Sequence, residues 1–269
     1  MHLPIYLLPV AGLLIGLLIS LMGGGGGIFY VGIMTGLFAI PMDQAVSVSL
    51  ATIIPTTLAA SFSHFKAGNI KVRTGLTLIA GGIIGVISGS FLITLISVKI
   101  LKIFFGIFLL VMGAQMVLSR KKNKKKEIQD DREENPTEKL DKNIIKAVSK
   151  FNIVKGVMFG FFGGLMSGML GVSGTPPILL GLYNLGLSSL QVVGTSVMIL
   201  FFIAVTGVIT HSAFGTLNWL LVILLASGTI TGAVFGPIIG KRISEKTLDR
   251  FYGPFFVVFI ILMAISMFF

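Results

Sequence analysis

The chain has 269 residues, 54% of them apolar and 12% charged, with a mean hydropathy of +0.99; a soluble domain carries about a quarter charged residues, so the composition excludes one. There is no cysteine, which excludes disulfides, thiolate metal sites and any mechanism that holds substrate on a thiol. The net charge of +11 would suggest nucleic acid on a soluble chain, but the charges here are clustered. Seven of the ten Asp and Glu lie between Glu127 and Asp141, and eleven of the twenty-one Lys and Arg between Arg120 and Lys150. Basic residues flanking apolar spans follow the positive-inside rule and meet anionic lipid. The expected surroundings are a lipid bilayer, with no nucleic acid partner. Outside the charged stretch roughly 235 residues remain, material for roughly eight to ten membrane helices at about 20 residues per crossing.

In chain order, an apolar run from Ile5 to Met22 ends in five glycines, Gly23 to Gly27. The N-terminus has neither a basic n-region nor a small-residue cleavage site, so Leu3 to Met22 reads as a retained membrane segment. A short apolar run, Ile28 to Ile40, leads to three long segments near Asp43–Phe65, Thr74–Ser97 and Lys99–Leu118. After a polar stretch the plan recurs. Ile153 to Leu170 ends at a break over Gly171 to Thr175, and Pro176 to Leu187 is again short. Long segments follow near Ser189–Thr210, Leu217–Gly240 and Glu245–Phe269. Gly, Pro, Asn or charge marks each boundary. The organisation expected is a first membrane repeat at 1–119, a cytoplasmic polar linker at 120–150 and a second membrane repeat at 151–269.

A shift of 147 residues superposes the halves without a gap. It carries Ser20-Leu-Met-Gly-Gly onto Ser167-Gly-Met-Leu-Gly, Gly27 onto Gly174, Gln44 onto Gln191, Ser49 onto Ser196 and His64 onto His211. Further along it carries Gly68, Gly81, Gly85 and Gly89 onto Gly215, Gly228, Gly232 and Gly236, and Lys99 onto Lys246. Leu and Ile match by chance in apolar sequence; Ser, Gln, His and Lys in one register do not. The fold class is therefore an all-α polytopic membrane protein with two repeats, each a Gly-broken helical hairpin plus three transmembrane helices.

Loop charge argues that the repeats are inverted. Lys66, Lys71 and Arg73 mark one loop of the first half as cytoplasmic, like the linker. The equivalent loop of the second half, His211 to Trp219, is uncharged, and the basic residues move one loop on to Lys241, Arg242, Lys246 and Arg250. The first element of each half is then a re-entrant hairpin or two full crossings; either preserves parity.

The breaks carry the chemistry. Non-helical backbone within a membrane is tolerated where protein or a water-filled cavity surrounds it. Glycine lets backbone amides approach a ligand, and Pro176-Pro177 suits the first turn of a new helix. Each short helix then offers free amides and a positive dipole end, an anion site without charged side chains. Candidate substrate-binding residues are Gly24, Gly25, Gly26 and Gly27 in the first break and Gly171, Ser173, Gly174 and Thr175 in the second. Ser20 and Ser167 precede the breaks; Ser49, Thr195 and Ser196 lie on the following long helices beside Gln44 and Gln191. Ser and Thr in membrane helices usually bond their own backbone. Gly81, Gly85 and Gly89 read as helix-packing residues. His64 and His211, repeated near helix ends, are candidates for a gate or a proton carrier. No catalytic residue, metal site or cofactor is expected, because a membrane-embedded enzyme would need a nucleophile, base or ligands at depth.

The duplicated Ser-x-Met-x-Gly-(x)2-Gly segment is followed about twenty residues later by Gln-Ala-Val-Ser-Val-Ser-Leu or Gln-Val-Val-Gly-Thr-Ser-Val. With Ser63–Ile70 (Ser-His-Phe-Lys-Ala-Gly-Asn-Ile), this resembles the sulfite exporter family of the TauE/SafE type over nearly the whole chain outside the linker. The resemblance implies a multi-pass permease of the bacterial cytoplasmic (inner) membrane for small sulfur-containing anions such as sulfite or organosulfonates. An anion channel of the same architecture and a non-transporting membrane scaffold are the competing readings. If the halves are inverted, single cysteines at positions 68 and 215 of this cysteine-free chain label from opposite sides of the membrane; labelling from one side would rule inversion out.

Overall fold

The computed structural model describes residues 3–22, 27–97, 99–108, 110–111 and 153–240. The linker at 120–150, glycines 23–26 and the last expected helix, 245–269, lie outside the described residues. Two compact units form, Met1–Leu101 with Asn152–Arg242, and Lys102–Phe151 with Ile243–Phe269. In the second unit the described residues, 102–108 and 110–111, are helical.

The first unit is built of helices α1 (Leu8–Met22, preceded by a 3-10 turn at Ile5–Leu7), α2 (Gly27–Gly36), α3 (Met42–Lys66) and α4 (Val72–Leu95). From the second half come α5 (Ile153–Leu170), α6 (Thr175–Asn184), α7 (Ser189–Ala213) and α8 (Trp219–Gly240). No strand occurs among the described residues. Among the described residues four helices are long and apolar enough to cross a membrane: Met42–Lys66, Val72–Leu95, Ile153–Leu170 and Leu190–Ala213. At 1.5 Å per residue α3 is about 37 Å long, ample for a hydrocarbon layer of about 30 Å. The N-terminal segment is shorter than expected as an α-helix, 15 residues in α1, because Ile5–Leu7 forms a 3-10 turn before it.

Large apolar side chains cover the outside of the helices, and inside, glycine and serine lie beside buried Leu, Ile, Val and Phe. In α4, Leu76, Ile84, Ile87, Phe91 and Leu95 are exposed, while Gly75, Gly82, Gly85, Gly89 and Ser90 are buried. In water this pattern would be inverted; against lipid tails, close packing of small residues is what holds helices together.

The duplication is visible in the backbone. Under the 147-residue shift α3 and α7 start and stop in register, at Met42 and Ser189 and at Lys66 and Ala213. The positive-φ positions also pair, Ala39 with Gly186 and Gly68 with Gly215. The packing is reciprocal: α4 packs on α5, and their repeat mates α8 and α1 pack on each other. In the first contact a Cβ at Gly81, Gly85 or Gly89 would overlap the carbonyl oxygen of Val157, Phe161 or Leu165. From α5, Gly160, Gly164 and Gly168 face Leu78, Gly82 and Val86 in the same way. Residue numbers rise together, so α4 and α5 run parallel. The second contact repeats this, with Gly12 and Gly16 against Leu225 and Thr229, and Gly228 and Gly232 against Pro9 and Leu13. The mates α3 and α7 instead run antiparallel, with Leu50 against Gly207, and Ser47 reaching Thr216 beyond the end of α7.

Gly85→Leu and Gly232→Leu are expected to force these backbones apart, at a cost of about 1–3 kcal/mol or more. The fall in unfolding temperature of the purified protein should greatly exceed that of Ile84→Leu on the exposed face of α4.

Candidate functional site

Leu170 ends α5, and the next four residues reverse the chain into α6. Gly171, Ser173 and Gly174 all have positive φ, of 65°, 61° and 60°. That conformation is free for glycine and costly for the serine between them. Thr175 opens α6, and Pro176 and Pro177 occupy first-turn positions where no amide partner is needed. Gly27, the first residue of α2, packs directly on this turn. A Cβ there would come within 2.5 Å of the Gly171 carbonyl oxygen and 2.7 Å of Ser173 Oγ. The N-terminus of α2 therefore abuts the turn that leads into α6.

The broken end of α5 is held by side chains from two other helices. Ser49 Oγ in α3 donates to the Gly171 carbonyl at 2.9 Å. His211 in α7 places Nε2 3.2 Å from the Gly168 carbonyl and Nδ1 3.2 Å from Thr216 Oγ1. A carbonyl only accepts, so Nε2 carries the proton in that bond. Within the chain's own ladder Gly171 N–H donates to the Ser167 carbonyl at 2.9 Å. Ser49 and His211 are fully buried, and each satisfies a carbonyl that would otherwise be orphaned away from water.

Among the described residues, two hydroxyls at the break have no partner, Ser167 Oγ and Thr175 Oγ1, and both atoms are buried. Ser167 lies one helical turn after Gly163, whose α-carbon faces Gly174 and Ile178 of α6. Residues four apart share a helix face, so Ser167 projects on the side of α5 that carries the start of α6.

Other expected site residues are placed elsewhere. Thr195 Oγ1 accepts the Lys71 amide at 3.0 Å and so serves the start of α4. Ser196 Oγ turns back to the Val193 carbonyl of its own helix. Gln191, expected near a break, closes a capping box with Ser188 at the start of α7. His64 is half-buried, with Nδ1 3.5 Å from Asn69 Nδ2. Gly24, Gly25 and Gly26 lie outside the described residues, as does the side chain of Ser20 in α1. Gly174 is a packing residue as well as a candidate ligand contact: its α-carbon faces the Gly163 backbone and a Cβ would overlap the Gly163 carbonyl, so a larger residue there would disturb the fold. Among the described residues no three His, Asp or Glu side chains gather to hold a metal ion.

Sequence reasoning missed Tyr30, which is buried in α2 and hydrogen-bonded to Thr229 of α8. An aromatic hydroxyl three residues after a glycine break was the available signal. It also missed Asn69 and Thr216, the partners of the two histidines; they are repeat mates with different side chains, so identity matching passed over them.

Removing the Ser49 hydroxyl leaves the buried Gly171 carbonyl unpaired. Ser49→Ala is expected to cost about 1–3 kcal/mol, read as a lower unfolding temperature. Ser196→Ala loses only a bond within its own helix, and should cost under about 1 kcal/mol in the same measurement.

Comparison with known proteins agrees with a membrane-embedded helical protein of this kind. The chain is 28% identical over 218 residues to the probable membrane transporter protein YdhB of Bacillus subtilis, covering 81% of this chain and 82% of the relative. It is 27% identical over 259 residues to the probable membrane transporter protein YunE of the same organism, covering 90% of each. A third Bacillus subtilis relative, the probable membrane transporter protein YtnM, is 30% identical over 250 residues, with 90% and 78% covered. No solved structure matches. The family model described as sulfite exporter TauE/SafE matches residues 8–267, and the chain belongs to that family.

Proposed function

We propose that this protein is a secondary transporter moving small sulfur-containing anions, such as sulfite or organosulfonates, across the cytoplasmic membrane. The anion is held by the amides and dipole ends of α2 and α6 at the two glycine breaks. The observation that carries this reading is the contact of Gly27 with the Gly171–Ser173 turn, which brings the start of one short helix against the approach to the other. Family membership and the transporter relatives support it.

On this reading the halves are inverted repeats, with the 120–150 linker in the cytoplasm and both termini outside. The antiparallel run of α3 against its mate α7 supports inversion, since a two-fold axis in the membrane plane reverses every helix. A helix N-terminus contributes about 0.3–1 kcal/mol to a nearby anion when exposed and up to about 2 when partly buried. Two such ends with a few hydroxyls give weak, reversible binding, which a carrier needs in order to release its cargo.

Purified protein titrated with sulfite, sulfate, thiosulfate, sulfoacetate and taurine is expected to bind at least one sulfur oxyanion. Binding of none would overturn the reading. Ser167→Ala sharpens the test, because the hydroxyl it removes is buried without a partner. Stability should stay level or rise, while anion affinity falls about ten- to a hundredfold, the worth of one hydrogen bond to a charged group. Unchanged affinity would move the site away from α5.

A further inference from the structure

Each histidine stands at the C-terminal end of a long helix, and each meets the residue five positions on. His64 meets Asn69 and His211 meets Thr216. Both helix ends close through a glycine at nearly the same φ, 71° at Gly68 and 70° at Gly215. The following backbone amide returns to the histidine carbonyl in both, Asn69 N–H at 3.0 Å and Thr216 N–H at 3.1 Å. Locally the two ends are the same structure.

They differ in one respect. His211 is fully buried and its second nitrogen grips the Gly168 carbonyl near the end of α5. The half-buried His64 makes only the local contact among the bonds described. The serines repeat the difference: Ser49 reaches across to the Gly171 carbonyl of the same broken end, while its mate Ser196 bonds within its own helix. Two polar contacts, from two helices, thus converge on the end of α5. The 147-residue shift carries Gly168 onto Leu21, one residue before the end of α1.

We propose that His211 and His64 are alternating clamps on the two broken helices. In the conformation described, His211 holds α5 by the Gly168 carbonyl and His64 is released. In the opposite conformation His64 holds α1 by the Leu21 carbonyl and His211 lets go. The histidines are positioning residues for the breaks and carry no proton in the cycle. The proposal rests on the reading of the chain as an inverted-repeat transporter. Among the described residues Asp43, at the start of α3, is a charged group near enough to act on His211. The Thr216 hydroxyl and the Gly168 carbonyl complete the polar surroundings of that ring.

The test uses the full chain in liposomes with one cysteine at Val172, which is buried in the turn after α5 and assigned no binding role. Its reaction rate with a small water-soluble thiol reagent reports release of that end, with no substrate present. Without the clamp, His211→Ala should speed labelling about fivefold, the population shift that one hydrogen bond supports. His64→Ala should slow it, because the opposite conformation has lost its own clamp. His211→Gln keeps an N–H near the position of Nε2 and should restore the original rate. Shifts in the same direction, no response to His64→Ala, or a glutamine variant that behaves like alanine would each overturn the clamp. Should His211→Ala fail to fold, His64→Ala decides alone: slower labelling supports the proposal and an unchanged rate overturns it. Opposite shifts without anion binding would keep the clamp and sink the anion reading; anion binding with unmoved labelling rates would do the reverse.

Discussion

A helix that stops inside a hydrophobic layer leaves carbonyls with no water to accept from, and each costs several kcal/mol if it faces lipid. The architecture around α5 follows from that constraint. Near its end the Ser167 carbonyl is taken by the Gly171 amide and the Gly168 carbonyl by His211, and just past it the Gly171 carbonyl by Ser49. His211 and Ser49 come from α7 and α3, so the break exists only while three helices from both halves stay in contact. The glycine faces of α4 and α5 help to hold that contact. They bring two backbones so close that a single Cβ would collide with a carbonyl oxygen. The rigid pair and the irregular turn are two parts of one solution: the first fixes α5, and the second has its polar groups met by neighbours that α5 can then reach.

The same logic separates two uses of glycine that look alike in the sequence. Gly81, Gly85 and Gly89 sit in a continuous helix, and what they provide is proximity. Gly171 and Gly174 sit where φ is positive, and what they provide is a reversal that most residues resist. Gly174 does both, since its α-carbon also lies against Gly163. The reversal, moreover, does not expose its groups freely. The Gly171 amide and the Gly171 and Gly174 carbonyls are met by protein, while the hydroxyls of Ser167 and Thr175 have hydrogen-bonding capacity to spare among the described residues.

Duplication supplies a second constraint. One pair of equivalent helices makes equivalent backbone contacts, α4 with α5 as α8 with α1, yet equivalent side chains do not make equivalent bonds. Backbone packing between glycines has little freedom, because a sub-ångström shift already meets a repulsive wall. A side-chain hydroxyl or imidazole can choose between a partner on its own helix and one across the interface at little cost. Differences between the repeats therefore collect in the polar side chains.

Much was legible in the residues alone. Composition placed the chain in a membrane, and the glycine, proline and charge boundaries located α5 at Ile153–Leu170 and the ends of α3 and α7 within a few residues. The 147-residue register emerged from Ser, Gln and His, and the backbone repeats it at Ala39 and Gly186. These are local properties: hydropathy, propensity and spacing act over a turn or two of chain. The partners of the polar groups were not legible. Ser49 and Ser196 are the same residue at the same repeat position, yet one bonds a break more than a hundred residues away and the other a carbonyl three residues back. Thr195 looked like a site residue and caps α4; Gly174 looked like a ligand contact and is also a packing residue. Which of several chemically equal acceptors a hydroxyl or an imidazole takes depends on where distant helices stand, and only the tertiary packing of α3, α5 and α7 decides that.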